Sequence, residues 1–171
     1  MIRRATPEDV LGISTVQVRS WQVAYRGQLP QEFLDRMAPE RRLPVWEQFV
    51  TGMDWPRIGT LVAVDGADVV GFVQFSPAQD ADAEPGLTGE VNAIYALSSA
   101  WGTGVGRGLM SGAVAALAEA GYRRATLWVL GTNARARRFY EAAGWAPDGA
   151  EKEDTVAGVL VNEVRYARDL S

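Results

Sequence analysis

The feature that most constrains this chain is a strand pattern that runs through a glycine-rich turn into a helix. Residues 90–96 (EVNAIYA) read as a strand, and Gly102, Gly104, Gly106 and Gly108 follow at alternate positions. Over 107–120, Leu109, Met110, Ala113, Val114 and Leu117 recur at helical spacing. Glycines lack the Cβ that would keep main-chain N–H groups from converging on an anion. The helix start adds unpaired N–H groups and a partial positive charge. A phosphate or diphosphate suits such a turn. A dinucleotide fingerprint needs G-x-G-x-x-G, yet its last position falls on Arg107 or Leu109 in the two available registers. No Gly-Lys-Ser/Thr step exists for a P-loop.

The residue types present narrow the chemistry further. With 171 residues, the chain is expected to form one domain, 1–171, with a sizeable core. It contains no cysteine, so disulfides, thiolate metal sites and a cysteine nucleophile are excluded. It contains no histidine, which removes His-ligated metals and the commonest general base. Catalysis must then use carboxylates, Tyr, Ser/Thr, Lys, water or backbone groups. A net charge of −4 argues against nucleic acid as a partner. No apolar run approaches the ~20 residues of a membrane span, and the N-terminus lacks a signal-peptide core. The cytoplasm is the expected location.

Along the chain, residues 2–4 read as an edge strand. Thr6-Pro7-Glu8-Asp9 opens a helix running to about Tyr25, with Thr6 as N-cap and Leu11, Val18, Trp21 and Tyr25 on one face. Two short helical patterns follow over 31–50, with Trp46 and Phe49 as apolar anchors. Residues 60–65 and 69–75 form a predicted hairpin, and the polar stretch 76–89 a predicted mobile loop. After the glycine turn come a strand over 125–130 and a helix over 134–143 capped by Asn133. Strands near 153–157 and 161–167 close the chain. The order is that of a mixed α/β domain built on one layered sheet.

The run from Tyr95 to Leu109 resembles the pyrophosphate-binding motif of the GNAT acetyltransferases, Gln/Arg-x-x-Gly-x-Gly/Ala. Gly104 and Gly106 match it; Trp101 stands where Gln or Arg is commonest, which leaves the backbone cradle intact. Downstream, Asn133, Ala136, Phe139, Tyr140 and Gly144 match the family's Asn-x-x-Ala-x-x-Phe-Tyr-x-x-x-Gly-Phe segment, with Trp145 for Phe. The resemblance implies a six- to seven-stranded mixed sheet flanked by about four helices. Its central parallel strands, here 90–96 and 125–130, splay apart to admit coenzyme A.

The resemblance also implies roles. Acetyl-coenzyme A would be held by Ile94, Ala96 and Leu97 along the strand edge. Trp101, Gly102, Thr103, Gly104, Val105, Gly106 and Arg107 would hold it in the turn, with Asn133 and Arg138 beyond. Tyr140 takes the leaving-group acid position and Glu90 is the candidate base, while Trp21, Tyr25 and Glu90 would meet the acceptor. Each has a plainer competitor: packing for Tyr140, Trp21 and Tyr25, a solvated strand end for Glu90, a helix cap for Asn133. The function expected is direct acetyl transfer to a primary amine of a small molecule. The alternatives are a protein N-terminus or lysine as acceptor, or a catalytically silent acyl-coenzyme A-binding module. A homodimer is a further expectation from the resemblance.

Overall fold

The computed structural model describes residues 1–171. Seven strands form one sheet in the order β1-β2-β3-β4-β5-β7-β6. They are β1 (Ile2–Arg4), β2 (Gly59–Asp65), β3 (Asp68–Pro77), β4 (Thr88–Ala96), β5 (Arg124–Leu130), β6 (Ala146–Val156) and β7 (Val159–Asp169). Five helices flank it: α1 (Val10–Ala24), α2 (Gln31–Arg36), α3 (Leu43–Thr51), α4 (Val105–Glu119) and α5 (Ala134–Ala142). The fold is the expected mixed α/β arrangement, and its five helices are the five helical patterns of the sequence, one more than the resemblance implies.

Side chains alternate across a strand, so the two faces of the sheet carry separate cores. Leu61, Ala63, Val73 and Phe75 point to one face and pack with Leu109, Met110, Ala113 and Leu117 of α4. Val62 and Phe72 point to the other and pack with Val10, Ile13 and Val16 of α1 and Trp46 and Val50 of α3. Helix α4 lies close on its face: a Cβ at Gly112 would come within 2.6 Å of Leu61 Cδ1.

All neighbouring strands are antiparallel except β4 and β5. That parallel contact covers only Thr88↔Arg124, Gly89↔Ala125 and Glu90↔Thr126. Immediately beyond it, β4 carries a bulge. Val91 pairs with Phe75 and Ala93 with Gln74, so Asn92 is the extra residue. A bulge bends its strand. Here the bend accompanies the parting of β4 from β5, and a gap opens in mid-sheet.

Three local expectations need correction. Leu11 is 55% exposed and Phe49 41% exposed, so neither anchors the core. The inward positions of α1 include Ser14 and Gln17 instead, whose polar groups are satisfied by Pro39 O at 2.6 Å and by the Trp46 indole at 2.8 Å. Strand β6 begins at Ala146 rather than near 153, because a bulge between Pro147 and Glu151 lets the strand run through turn-type residues. The stretch between β3 and β4 is also tied down: Arg165 binds Asp82 through two bonds of 2.7 Å, and the Trp128 indole donates to Asp80 at 3.1 Å.

Candidate active site

The gap between β4 and β5 opens into a cavity of about 1120 Å³ lined by both strands, α1, the glycine turn, α5 and the β6–β7 hairpin. One end lies at the start of α4. Gly104 is the residue before that helix, at φ 89° and ψ −1°, the left-handed region that glycine enters freely. The N–H groups of Thr103 and Gly108 bond to Ala100 O and Gly104 O, whereas those of Gly102, Gly104, Val105, Gly106 and Arg107 have no acceptor in the chain. A Cβ at Gly102 or Gly104 would meet nothing within 4 Å, so the turn borders open space at these two residues, whereas one at Gly106 would touch the Phe139 ring at 3.4 Å. Arg107 lines the same end.

The middle of the cavity is the edge of β4. Leu97 N donates to Val70 O at 2.9 Å, which sets the alternation. Leu97, Tyr95 and Ala93 bond back toward β3, and the main-chain groups of Ile94 and Ala96 point into the gap. Leu97 itself packs on the α1 side and does not line the cavity. The Trp101 indole donates to Ala96 O at 3.0 Å, and the Arg135 guanidinium lies 3.0 Å from the Trp101 ring centroid. This stack bridges the start of α5 and the turn before α4. Asn133 Oδ1 accepts from Ala136 N at 3.1 Å, so it does cap α5 while also lining the cavity. Arg138 is exposed and lies outside the lining.

Tyr140, also in the lining, is 8% exposed. Its hydroxyl reaches the cavity without a hydrogen-bond partner, and burial, with Tyr95 beside it, raises its pKa. Trp21 and Tyr25 meet edge to face at 4.7 Å, and the Trp21 indole donates to the Tyr95 hydroxyl at 3.1 Å. Burial raises the pKa of both Tyr25 and Tyr95. Glu90 Oε1 accepts from Gln79 N at 3.4 Å, and burial raises its carboxyl above the usual glutamate range.

The structure therefore places Tyr140, Glu90, Trp21 and Tyr25 in the lining of the same cavity as the glycine turn. Sequence reasoning missed Tyr95, Trp128, Lys152, Asp154 and Glu163, all of which line the same cavity. Alternation along β6 and β7 could have grouped Lys152 with Asp154, and Val161 with Glu163. Charged residues on both faces of β6 hid that pattern.

Residues 18–145 match the Acetyltransferase (GNAT) family. The chain is 30% identical over 165 residues to YuaI of Bacillus subtilis, an uncharacterized N-acetyltransferase, covering 95% of this chain and 89% of that protein. It is 33% identical over 139 residues to an uncharacterized N-acetyltransferase of Archaeoglobus fulgidus, covering 81% and 88%. The fold is similar to that of PaiA N-acetyltransferase from Thermoplasma acidophilum, solved in complex with coenzyme A. The TM-score is 0.73 at 18% identity, over 99% of this chain and 98% of that one.

Proposed function

Because the chain belongs to the GNAT acetyltransferase family and is an N-acetyltransferase that uses acetyl-coenzyme A, we propose that it acetylates a primary amine of a small molecule directly. The observation that carries this reading is the parted pair β4 and β5, with free amides in the glycine turn and the unpartnered Tyr140 hydroxyl in the lining of the same cavity.

The residues present fit the cofactor. The unpaired N–H groups of Gly102, Gly104, Val105, Gly106 and Arg107 suit its diphosphate, with Arg107 adding charge. The inward main-chain groups of Ile94 and the N–H of Ala96, whose carbonyl already accepts the Trp101 indole, suit an extended arm that carries amides. Acetyl-coenzyme A supplies an activated acyl carbon and a thiol leaving group.

The chain supplies position and proton management. Holding two reactants in register is worth roughly 7–11 kcal/mol, so the walls of the cavity do most of the work. Tyr140 offers its hydroxyl to developing negative charge on the leaving sulfur. Its pKa, raised from about 10, keeps it protonated at neutral pH, so it acts as a donor. Glu90 takes the proton released by the attacking amine, directly or through water, and its raised pKa brings it nearer to the working pH. Trp21, Tyr25 and Tyr95 wall the amine from one side, and the tethered residues 78–87 stand behind Glu90. These walls support a small acceptor over a protein segment.

The test is thiol release with acetyl-coenzyme A across a panel of amines, beside a calorimetric titration of the cofactor. Tyr140→Phe should lower kcat about 100-fold with an unchanged cofactor Kd. A protein that binds acetyl-coenzyme A yet acetylates no small amine, or a Tyr140→Phe variant with unaltered kcat, would reject the reading.

A further inference from the structure

The strands lining the cavity carry more negative charge than one reacting amine can use. Glu90 lies on β4, while β7 contributes Glu163 and β6 contributes Asp154 and Lys152. Among the lining residues that come from β4, β6 and β7 there are thus three carboxylates and one ammonium, while the two lining arginines, Arg107 and Arg135, come from the start of α4 and from α5. That ammonium is itself shared: Lys152 Nζ is 3.8 Å from Glu163 Oε2 and 4.3 Å from the centre of the Trp128 ring. The Glu163 side chain is only 19% exposed, and burial raises its carboxyl pKa, with Lys152 opposing and Asp154 adding. Its charge is therefore incompletely compensated.

Aromatic rings line the same cavity as this carboxylate: Tyr25 and Tyr95 are joined into one wall by Trp21, which meets Tyr25 edge to face at 4.7 Å and donates to the Tyr95 hydroxyl at 3.1 Å. Ser20 Oγ, buried and without a partner, lines the same wall. A carboxylate that shares a cavity with aromatic rings can hold an alkylammonium by charge and by cation–π attraction. The reacting nitrogen cannot fill this role. It must be neutral to attack, and its place is fixed by the unpartnered hydroxyl of Tyr140, which is 8% exposed and lines the same cavity. A second nitrogen, still protonated, can.

We propose that the acceptor is a small aliphatic diamine, one nitrogen acetylated beside Tyr140 while the other, as ammonium, is held by Glu163 against Tyr25 and Tyr95. The inference rests on the acetyl-transfer reading above. The chemistry stays balanced: one C–N bond forms, the thioester C–S bond breaks, and the amine's lost proton equals the one gained by the thiol.

The test pairs α,ω-diamines of increasing length with n-alkylamines of equal carbon number in the thiol-release assay. At low salt the best diamine should exceed its monoamine in kcat/KM by about tenfold, equivalent to about 1.4 kcal/mol. The advantage should shrink as salt is added. In Glu163→Gln the ratio should fall toward one through KM, and Glu163→Asp should restore part of it. Lys152→Met, which removes the competing ammonium, should widen the ratio and keeps the test decisive if Glu163→Gln does not fold. Equal kcat/KM for the two amine classes, or a preference that survives Glu163→Gln, overturns the diamine assignment and leaves acetyl transfer standing. Cofactor binding with no turnover of any amine overturns the reading beneath it as well.

Discussion

Replacing Gly104 with alanine separates the backbone geometry of the glycine turn from the space around it. Gly104 sits at φ 89°, and a methyl group there would meet no atom within 4 Å. The cost is therefore conformational. Holding an L-residue in the left-handed region costs about 1–2 kcal/mol. At about 2–4 °C per kcal/mol for a chain of this size, the melting temperature should fall by roughly 2–8 °C. Gly86, at φ 78° and also with nothing within 4 Å, lies in residues 78–87 and provides a control of equal strain. Gly86→Ala should melt at a similarly lowered temperature. Only Gly104→Ala should lose cofactor affinity, because relief of its strain swings an unpaired N–H away from the diphosphate. A hydrogen bond to a charged group contributes about 1.5–3 kcal/mol, so Kd for acetyl-coenzyme A should rise roughly 10- to 100-fold. Calorimetry gives the Kd, and thermal unfolding followed by circular dichroism gives the strain. An unchanged Kd in Gly104→Ala, or an equal rise in Gly86→Ala, would refute the cradle.

Burial raises the pKa of Glu90, so its base form appears only above the ordinary glutamate value of about 4.3, and the rate should rise with pH through the elevated pKa. Glu90→Gln should remove that limb of the kcat/KM profile. A raised folded pKa is also a stability contribution that is present at low pH and lost as pH rises through it. The same variant should therefore melt higher at neutral pH, and a lower melting temperature there contradicts the assignment. Asp9 has the opposite sign. Its carboxylate accepts from Arg3 at 2.7 and 2.9 Å and from Thr6 N at 2.8 Å, and its pKa is lowered chiefly by the Arg3 bond. Its contribution is present above the unfolded value of about 3.9 and lost as pH falls through the folded one. Asp9→Asn should cost about 2 kcal/mol at neutral pH and flatten acid unfolding, as urea titrations at several pH values would measure. Arg165 links Asp82, Asp80 and Asp148, so Arg165→Met should expose residues 78–87 to limited proteolysis and raise the acceptor KM. The cofactor Kd should not move; if it does, the effect of Arg165 is not local to the acceptor site.

The glycine turn was legible in the sequence because glycine and helix-start chemistry are local. Gly104 and Gly106 announced free amides, and the structure leaves them free. The charged lining from β6 and β7 was not, because it depends on register. Glu163 and Lys152 meet only because β6 and β7 pair in that register, and the bulge between Pro147 and Glu151 sets it across a stretch that reads as a turn. The parting of β4 from β5 was expected from the family resemblance alone. Its local correlate, the extra residue Asn92, is an inconspicuous polar position in an apolar strand. Helix α1 misled for a related reason. Apolar periodicity put Leu11 inside, whereas Ser14 and Gln17 are buried because distant groups, Pro39 O and the Trp46 indole, complete their hydrogen bonds.

The three-residue parallel contact between β4 and β5 has a thermodynamic consequence. A sheet whose centre is left unzipped keeps an interior seam of donors and acceptors that the polypeptide does not close, and whatever lies along that seam becomes part of the folded state. Such a ligand stabilises the chain by mass action, by about 2.7 kcal/mol at a hundred times its Kd. For this enzyme the supply of acyl donor and the lifetime of the native chain are therefore coupled variables. A melting temperature means little unless the donor concentration is stated with it.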